Sequence, residues 1–261
     1  MTSATILSVQ GLTKRFGGVV ALDQVSFSVT PGCIAGLIGP NGAGKSTFFN
    51  VLTGVFPVDA GEMHFDSERI NGLAPHTLVS MGLVRTFQKV HPFRGMSVLE
   101  SVMVARHART RAGLFMSLVR LPWVAGEEQK IRDDAHRAIA FVGLQDYTDD
   151  PAETLPLGRQ RLLQLACGIA TEPRLLFLDE PASGLNTSET SQLGQLLQAI
   201  RQQGITIVLV EHDMSLVMKI CDHITVLNFG QVLADGTPKQ IRLNPDVIRA
   251  YLGAGEPHAG H

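Results

Sequence analysis

Residues 39–46 read Gly39-Pro40-Asn41-Gly42-Ala43-Gly44-Lys45-Ser46, and they follow a continuous apolar run, Cys33–Ile38. The octapeptide fits the pattern G-x-x-x-x-G-K-[ST], in which glycines let backbone N–H groups curl around phosphate oxygens. The apolar run predicts a strand covered on both faces, and Gly44–Leu52 predicts a helix whose positive end adds to the site. In this setting we expect Lys45 to reach the β- and γ-phosphates, Ser46 to ligate Mg²⁺ and Thr47 to add a phosphate contact. The sequence therefore predicts a nucleotide site built around this loop.

A second predicted buried strand ends in two carboxylates. Leu175–Leu178 is apolar, and Asp179 and Glu180 follow it directly. In a parallel sheet the carboxyl ends of the strands face the ligand crevice. Seen alone, the pair could equally cap the following turn. Beside a phosphate loop we expect Asp179 to lie near Mg²⁺, directly or through water, and Glu180 to stand where a general base for water is needed.

Composition bounds the class of protein. The 261 residues are 44% hydrophobic and 18% charged, which excludes general disorder. The formal net charge is −2, so no excess positive charge favours nucleic acid as a main partner. The three cysteines, Cys33, Cys167 and Cys221, are widely separated and form no disulfide framework or metal-ligand spacing. No apolar stretch reaches the roughly 20 residues of a membrane span. We therefore expect a soluble, cytosolic chain, for which any membrane role must come from docking on another chain.

Hydrophobic periodicity predicts strands and helices that alternate along most of the chain, which is typical of a mostly parallel sheet. The further predicted strands are Ala21–Val29, Glu62–Phe65, Glu68–Ile70, Ile205–Val210, Ile224–Leu227 and Gln231–Ala234. The further predicted helices are Pro75–Met81, Ser97–Ala108, Gly126–Val142, Arg159–Ala170, Thr187–Gln203, Met214–Ile220, Pro238–Arg242 and Pro245–Leu252.

Four further segments stand with the phosphate loop and the acidic pair in the order found in ATP-binding cassette (ABC) ATPases. They are Arg85-Thr86-Phe87-Gln88, Leu155-Pro156-Leu157-Gly158-Arg159-Gln160-Arg161, Ser183-Gly184-Leu185-Asn186 and His212. The chain resembles this family over nearly its whole length. The resemblance implies an α/β, P-loop NTPase fold of the ABC ATPase type: a mixed β core, an inserted α-helical subdomain and an N-terminal antiparallel β region.

The resemblance also implies one ABC transporter domain at about 7–253. Along the chain, 1–89 would carry the phosphate loop and the glutamine loop, and 90–154, where strand signals disappear, would form the helical subdomain. Residues 155–236 would carry the signature loop, the acidic strand and the histidine loop, and 237–261 the closing helices and a tail.

Single residues acquire roles from the same resemblance. Phe16 is similar to the aromatic residue that stacks on adenine, and Gln88 to the glutamine that senses Mg²⁺ and the γ-phosphate. Gly158 lies in the signature loop, which caps the γ-phosphate of the opposite subunit, and Asn186 in the loop that crosses the dimer interface. His212 resembles the switch histidine that contacts the γ-phosphate. The implied catalytic residues are Glu180, His212, Gln88 and Lys45. The implied nucleotide-binding residues are Phe16, Gly39, Pro40, Asn41, Gly42, Ala43, Gly44, Lys45, Ser46, Thr47, Gln88 and Gly158. The implied metal ligands are Ser46, Gln88 and Asp179.

The signature loop departs from the family's pattern. Leu155-Pro156-Leu157-Gly158-Arg159 stands where Leu-Ser-Gly-Gly-Gln is usual. The serine hydroxyl, one glycine and the glutamine are absent, which removes a side-chain hydrogen bond to phosphate. Backbone N–H groups at the start of the following helix could still bind it, and Arg159 could add charge.

Within the family, several stretches are similar to the ATPase subunits of branched-chain, or hydrophobic, amino-acid importers. They are Gly39–Ser46 with its flanks, Val84–Gln88, the insertion around Leu114–Trp123 and the ending Gly236–Gly253. The implied cofactors are ATP and Mg²⁺. The implied partners are two transmembrane permease subunits, a second ABC ATPase that is a copy or a sister subunit, and indirectly a periplasmic or extracellular substrate-binding protein. The implied location is the cytoplasmic side of the plasma membrane.

Alternatives remain open at the level of sequence. The ATPase of lipopolysaccharide export shares much of this layout, and Thr110–Trp123 fits either a solvated loop or a contact near the membrane subunits. A non-transport ABC ATPase acting on DNA or ribosomes would need a long coiled-coil insertion or a second cassette, and the sequence has neither. A regulatory module without hydrolysis is disfavoured by Asp179, Glu180 and His212.

Overall fold

The computed structural model describes residues 5–86, 95–107 and 122–253. The strands are β1 (Leu7–Phe16), β2 (Val19–Val29), β3 (Ile34–Ile38), β4 (Ala60–Phe65), β5 (Glu68–Arg69), β6 (Leu83–Arg85), β7 (Leu175–Asp179), β8 (Thr206–Val210), β9 (His223–Asn228) and β10 (Gln231–Gly236). The helices are α1 (Lys45–Leu52), α2 (Pro75–Met81), α3 (Val98–His107), α4 (Pro122–Phe141), α5 (Leu157–Ala170), α6 (Thr187–Gln202), α7 (Met214–Ile220), α8 (Pro238–Leu243) and α9 (Pro245–Gly253).

The strands form two sheets. A four-stranded antiparallel sheet has the order β2-β1-β4-β5, and a six-stranded sheet has the order β10-β9-β3-β8-β7-β6. In the larger sheet only the β9–β10 hairpin is antiparallel, among the described pairings. The mixed core and the N-terminal antiparallel region agree with the fold class expected from the sequence.

The six-stranded sheet separates two hydrophobic cores. Successive side chains of a strand point to opposite faces, and β3, β6, β7, β8 and β9 each contribute to both cores. Ile34, Ile38 and Leu176 pack with α3–α9 on one face, whereas Leu37 and Phe177 pack with α1 and the antiparallel sheet on the other. β3, β7 and β8 are buried throughout, which explains why their sequences are apolar apart from Asp179 and Thr206 at the strand ends.

Parallel pairing places the candidate site. β3, β8 and β7 are neighbours, with Ile34 opposite Ile207 and Asp179 opposite Val210. Their carboxyl ends therefore meet at one edge of the sheet, and the segments that begin at Gly39, Glu180 and Glu211 all emerge there.

Most predicted elements are present with ends shifted by a few residues, but the sequence patterns do not predict β1 or β6. The predictions for Gln88 and for residues 108–121 fall outside the described residues, and the division of the chain at 90 and 155 stays a prediction. None of the helices in the described ranges has the length and apolar character needed to cross a membrane.

Candidate nucleotide site

The phosphate loop joins β3 to α1 and is tightly backed by the β9–β10 hairpin. A Cβ at Gly39 would lie 2.1 Å from the Leu227 carbonyl oxygen. Gly230 N donates to Ala43 O at 3.0 Å, which fixes the far side of the loop. Gly44, with φ of 102°, precedes α1, whose start has no side-chain cap and no acidic residue in its first turn. The free N–H groups and the positive helix end suit an anion such as phosphate.

Lys45 is the cation of this loop. Its side chain is buried, and Nζ donates to Gly39 O at 2.7 Å and to Pro40 O at 3.0 Å. Burial lowers the pKa of Lys45, and the nearby charges of Glu180 and Asp179 oppose this shift. The ammonium group is therefore held inside the loop by two backbone carbonyl groups.

Asp179 and Ser46 are the predicted Mg²⁺ ligands that the structure describes. Asp179 is buried and its Oδ2 lies 2.8 Å from Arg85 Nη2, whereas Ser46 is exposed in the first turn of α1. In the described part of the chain, no group of three or more His, Cys, Asp or Glu side chains could hold a metal ion by itself. One carboxylate and one hydroxyl fit Mg²⁺ only together with phosphate oxygens and water, which is how nucleotide-bound Mg²⁺ is usually held.

Glu180 and His212 face each other at the same edge. Glu180 Oε2 lies 4.0 Å from His212 Nδ1, and the two side chains are 26% and 60% exposed. The backbone of Glu180 is left-handed, with φ of 48°, and its N–H donates to Val210 O at 2.9 Å. A non-glycine residue in this conformation is strained, and such strain is concentrated at functional sites. The bond to the neighbouring strand fixes the backbone from which the carboxylate extends toward His212.

Glu211 is a buried carboxylate that the sequence reasoning missed. It is 0% exposed and accepts hydrogen bonds from Ala182 N at 2.7 Å and His212 N at 3.2 Å. Burial raises the pKa of Glu211, and these hydrogen bonds act against that rise. The residue thus ties the segment after β7 to the segment after β8. An acidic residue directly after an apolar strand, the signal that identified Asp179, could have found it.

The altered signature loop starts α5 without a side-chain cap, because Pro156 is its N-cap residue. The Arg159 guanidinium lies 3.9 Å from the centroid of the Tyr147 ring. This cation–π contact directs the positive charge toward the turn at Gln145–Tyr147. A Cβ at Gly158 would lie 2.9 Å from Glu189 Oε1, so the loop packs closely against the start of α6.

Asn186 caps α6. Its side chain accepts hydrogen bonds from Ser188 N and Glu189 N, both at 3.0 Å, and Glu189 Oε2 accepts from Asn186 N at 2.9 Å. This reciprocal capping box fixes the loop that is predicted to cross a dimer interface.

Replacing this cap should weaken the fold. We expect Asn186→Ala to lower the free energy of unfolding by about 1 kcal/mol, because two N–H groups lose their acceptor. Urea denaturation followed by circular dichroism measures the loss. Asn186→Asp keeps an acceptor oxygen and should remain near the wild type; equal stability of all three proteins would contradict the capping role.

Phe16 ends β1 at the rim of the antiparallel sheet. The residue is 43% exposed, and its ring makes an edge-to-face contact with Phe56, at 5.3 Å between centroids. Lys14 Nζ lies 5.3 Å from the Phe16 centroid. The position leaves part of the ring available for a stacking partner.

Of the predicted site residues, Lys45, Asp179, Glu180 and His212 meet at one sheet edge.

Comparison with known proteins identifies relatives over nearly the full length. The family model described as "ABC transporter" matches residues 22–183, and that described as "Branched-chain amino acid ATP-binding cassette transporter" matches residues 231–257. The chain is 45% identical to the high-affinity branched-chain amino acid transport ATP-binding protein BraF of Pseudomonas aeruginosa, and 45% identical to LivG of Escherichia coli K12. Each alignment covers 96% of this chain and 99% of the relative.

Solved structures agree with these matches. A nucleotide-free ATP-binding cassette from an ABC transporter superposes with a TM-score of 0.83 at 31% identity, over 95% of this chain and 98% of that chain. The ADP conformation of MJ1267, an ATP-binding cassette of an ABC transporter, superposes with a TM-score of 0.84 at 31% identity, over 95% and 99% of the two chains.

Proposed function

We propose that this chain, which belongs to the ABC transporter family of ATPases, hydrolyses ATP to drive the import of branched-chain or other hydrophobic amino acids. The observation that carries the choice of substrate is the match of residues 231–257 to the branched-chain amino acid family model. The curated relatives named for this transport, which match along 96% of the chain, support it.

Nucleotide binding is assigned to the loop and to one aromatic ring. The backbone N–H groups of Gly39–Gly44 surround the phosphates, Lys45 exchanges its carbonyl partners for the β- and γ-phosphates, and Thr47 adds a contact. Phe16 stacks on the adenine. These roles are supported by the uncapped start of α1, the buried position of Nζ and the exposed part of the Phe16 ring.

Hydrolysis is assigned to groups at the carboxyl edge of the sheet. Glu180 accepts a proton from the attacking water, and His212, at 4.0 Å from that carboxylate, orients the water and the γ-phosphate. Asp179, Ser46 and Gln88 hold Mg²⁺, which balances negative charge on the phosphates. Most of the acceleration then comes from positioned charge rather than from covalent chemistry.

Coupling to transport requires other chains. Two ATPase chains, identical or sister subunits, close head to tail over two nucleotides, and Gly158 of one chain caps the γ-phosphate held by the other. Asn186 lies at this junction. The pair works at the cytoplasmic side of the plasma membrane beneath two transmembrane permease subunits, which receive substrate from a binding protein.

Uptake measurements test the assignment. Deleting the gene in the organism that encodes this chain should abolish high-affinity uptake of radiolabelled leucine, isoleucine and valine. The wild-type gene should restore uptake, whereas Glu180→Gln, expressed to the same level, should not. Unchanged uptake of all three amino acids after deletion would contradict the proposal, and impaired lipopolysaccharide export would then favour the exporter alternative.

A further inference from the structure

Arg85 connects three parts of the nucleotide site. It ends β6, the edge strand that pairs with β7, and its guanidinium extends to the last residue of β7. Nη2 lies 2.8 Å from Asp179 Oδ2, and Nη1 donates to Asn50 Oδ1 at 2.6 Å and to Thr53 Oγ1 at 3.3 Å. Asn50 lies on α1, one helical turn after Ser46. The Arg85 side chain therefore joins the helix that carries Ser46 to the strand that carries Asp179.

The contact fixes one oxygen of Asp179 and leaves the other available. Across residues 5–86, 95–107 and 122–253, the bond from Arg85 to Oδ2 is the one hydrogen bond that this carboxylate accepts. The Asp179 and Arg85 side chains are 2% and 16% exposed, so water does not readily replace either partner. Because Oδ2 is bonded to Arg85, Oδ1 is the oxygen that accepts no hydrogen bond from the described residues.

The geometry depends on arginine rather than on positive charge alone. The planar guanidinium bonds Asp179 through one nitrogen and α1 through the other, and its central carbon lies 5.6 Å from the centroid of the Phe49 ring. A lysine ammonium would keep the charge but could not reproduce this fork. Arg85 also stands three residues before Gln88, at the start of the segment that carries the predicted γ-phosphate sensor.

We propose that Arg85 is a positioning residue for Mg²⁺: it turns Asp179 so that Oδ1 faces the metal of bound ATP. The inference rests on the proposed function, since it requires that ATP and Mg²⁺ bind at this loop. Partners that orient metal ligands typically affect metal affinity by about 10- to 100-fold.

The test measures ATP affinity with and without the metal. Equilibrium dialysis of the purified chain with radiolabelled ATP is done in excess Mg²⁺ and in EDTA, at low temperature. The ratio of the two ATP affinities is the Mg²⁺ factor, the factor by which Mg²⁺ tightens ATP binding. In Arg85→Lys we expect this factor to fall about tenfold or more, while the affinity in EDTA stays unchanged. Thermal unfolding of each variant checks that it is folded.

Arg106→Lys is the matched control. Arg106 Nε lies 3.0 Å from Asp134 Oδ2, and the pair is as buried as Arg85–Asp179, with side chains 10% and 6% exposed, but it joins α3 to α4. The same substitution there should reduce stability and leave the Mg²⁺ factor unchanged. A wild-type factor in folded Arg85→Lys, or an equal loss in Arg106→Lys, would overturn the inference.

Two outcomes separate this inference from the proposed function. A wild-type chain that binds ATP in neither condition would refute the nucleotide site itself, whereas a normal Mg²⁺ factor in Arg85→Lys refutes only the role of Arg85. If Arg85→Lys does not fold, Asn50→Ala carries the test, because it removes the shorter of the two hydrogen bonds of Nη1 and keeps the ion pair. The Mg²⁺ factor should then fall in the same direction, and an unchanged factor would refute the role.

Discussion

Glu180→Gln should bind ATP as the wild type does and hydrolyse almost none of it. The glutamine amide keeps the size of the carboxylate and its place 4.0 Å from His212 Nδ1, but it cannot accept the proton of the attacking water. A general base typically contributes 10²- to 10⁴-fold, so we expect the rate of phosphate release to fall about 10³-fold. A phosphate-release assay with the isolated chain, at saturating Mg²⁺ and ATP, measures this effect.

The control for Glu180→Gln is Glu68→Gln, which removes an equal charge from an exposed residue of β5. It should leave the rate unchanged. Because unhydrolysed ATP holds the proposed closed pair together, Glu180→Gln with Mg²⁺ and ATP should also elute as a dimer in size-exclusion chromatography. Near-normal phosphate release would remove Glu180 from the role of general base.

The centre of the fold is predictable because its signals are local. An all-apolar strand followed by glycines marks β3, and one followed by carboxylates marks β7; parallel pairing then brings their ends together. β1 is harder to predict, because its alternation is interrupted at Gly11, where φ is 59° and the register shifts between Val9 and Leu12. A bulge of this kind adds a residue that breaks the period of two.

Contacts between distant segments are what the sequence does not predict. Arg85 and Asp179 are 94 positions apart and meet only because β6 pairs with β7. Arg159 appears in the sequence as a charge for phosphate, but the structure places it over Tyr147. Neither contact can be predicted from the residue types of one segment, because both depend on which elements are neighbours in the folded chain.

Gly39→Ala should damage the phosphate loop more than any change of charge around it, because the atom that the added methyl group would meet belongs to the backbone and cannot rotate away. The added Cβ would lie 2.1 Å from the Leu227 carbonyl oxygen, in the buried strand β9, and the φ of 152° is one that side chains rarely adopt. Overpacking and backbone strain each cost about 1–3 kcal/mol, so we expect a loss of about 3 kcal/mol in the free energy of unfolding. Urea denaturation measures the loss, and equilibrium dialysis should show ATP binding lost with it, because the loop must open.

Gly42→Ala is the matched change in the same loop that meets no steric obstacle. Gly42 also has a positive φ, 77°, but a Cβ there would meet no heavy atom within 4 Å. It should therefore cost only the backbone strain, about 1 kcal/mol. If Gly39→Ala proved no more destabilising than Gly42→Ala, contact with the β9–β10 hairpin could not be what shapes the loop. The excess loss at Gly39 therefore combines the clash with that hairpin and the greater backbone strain of a φ of 152°.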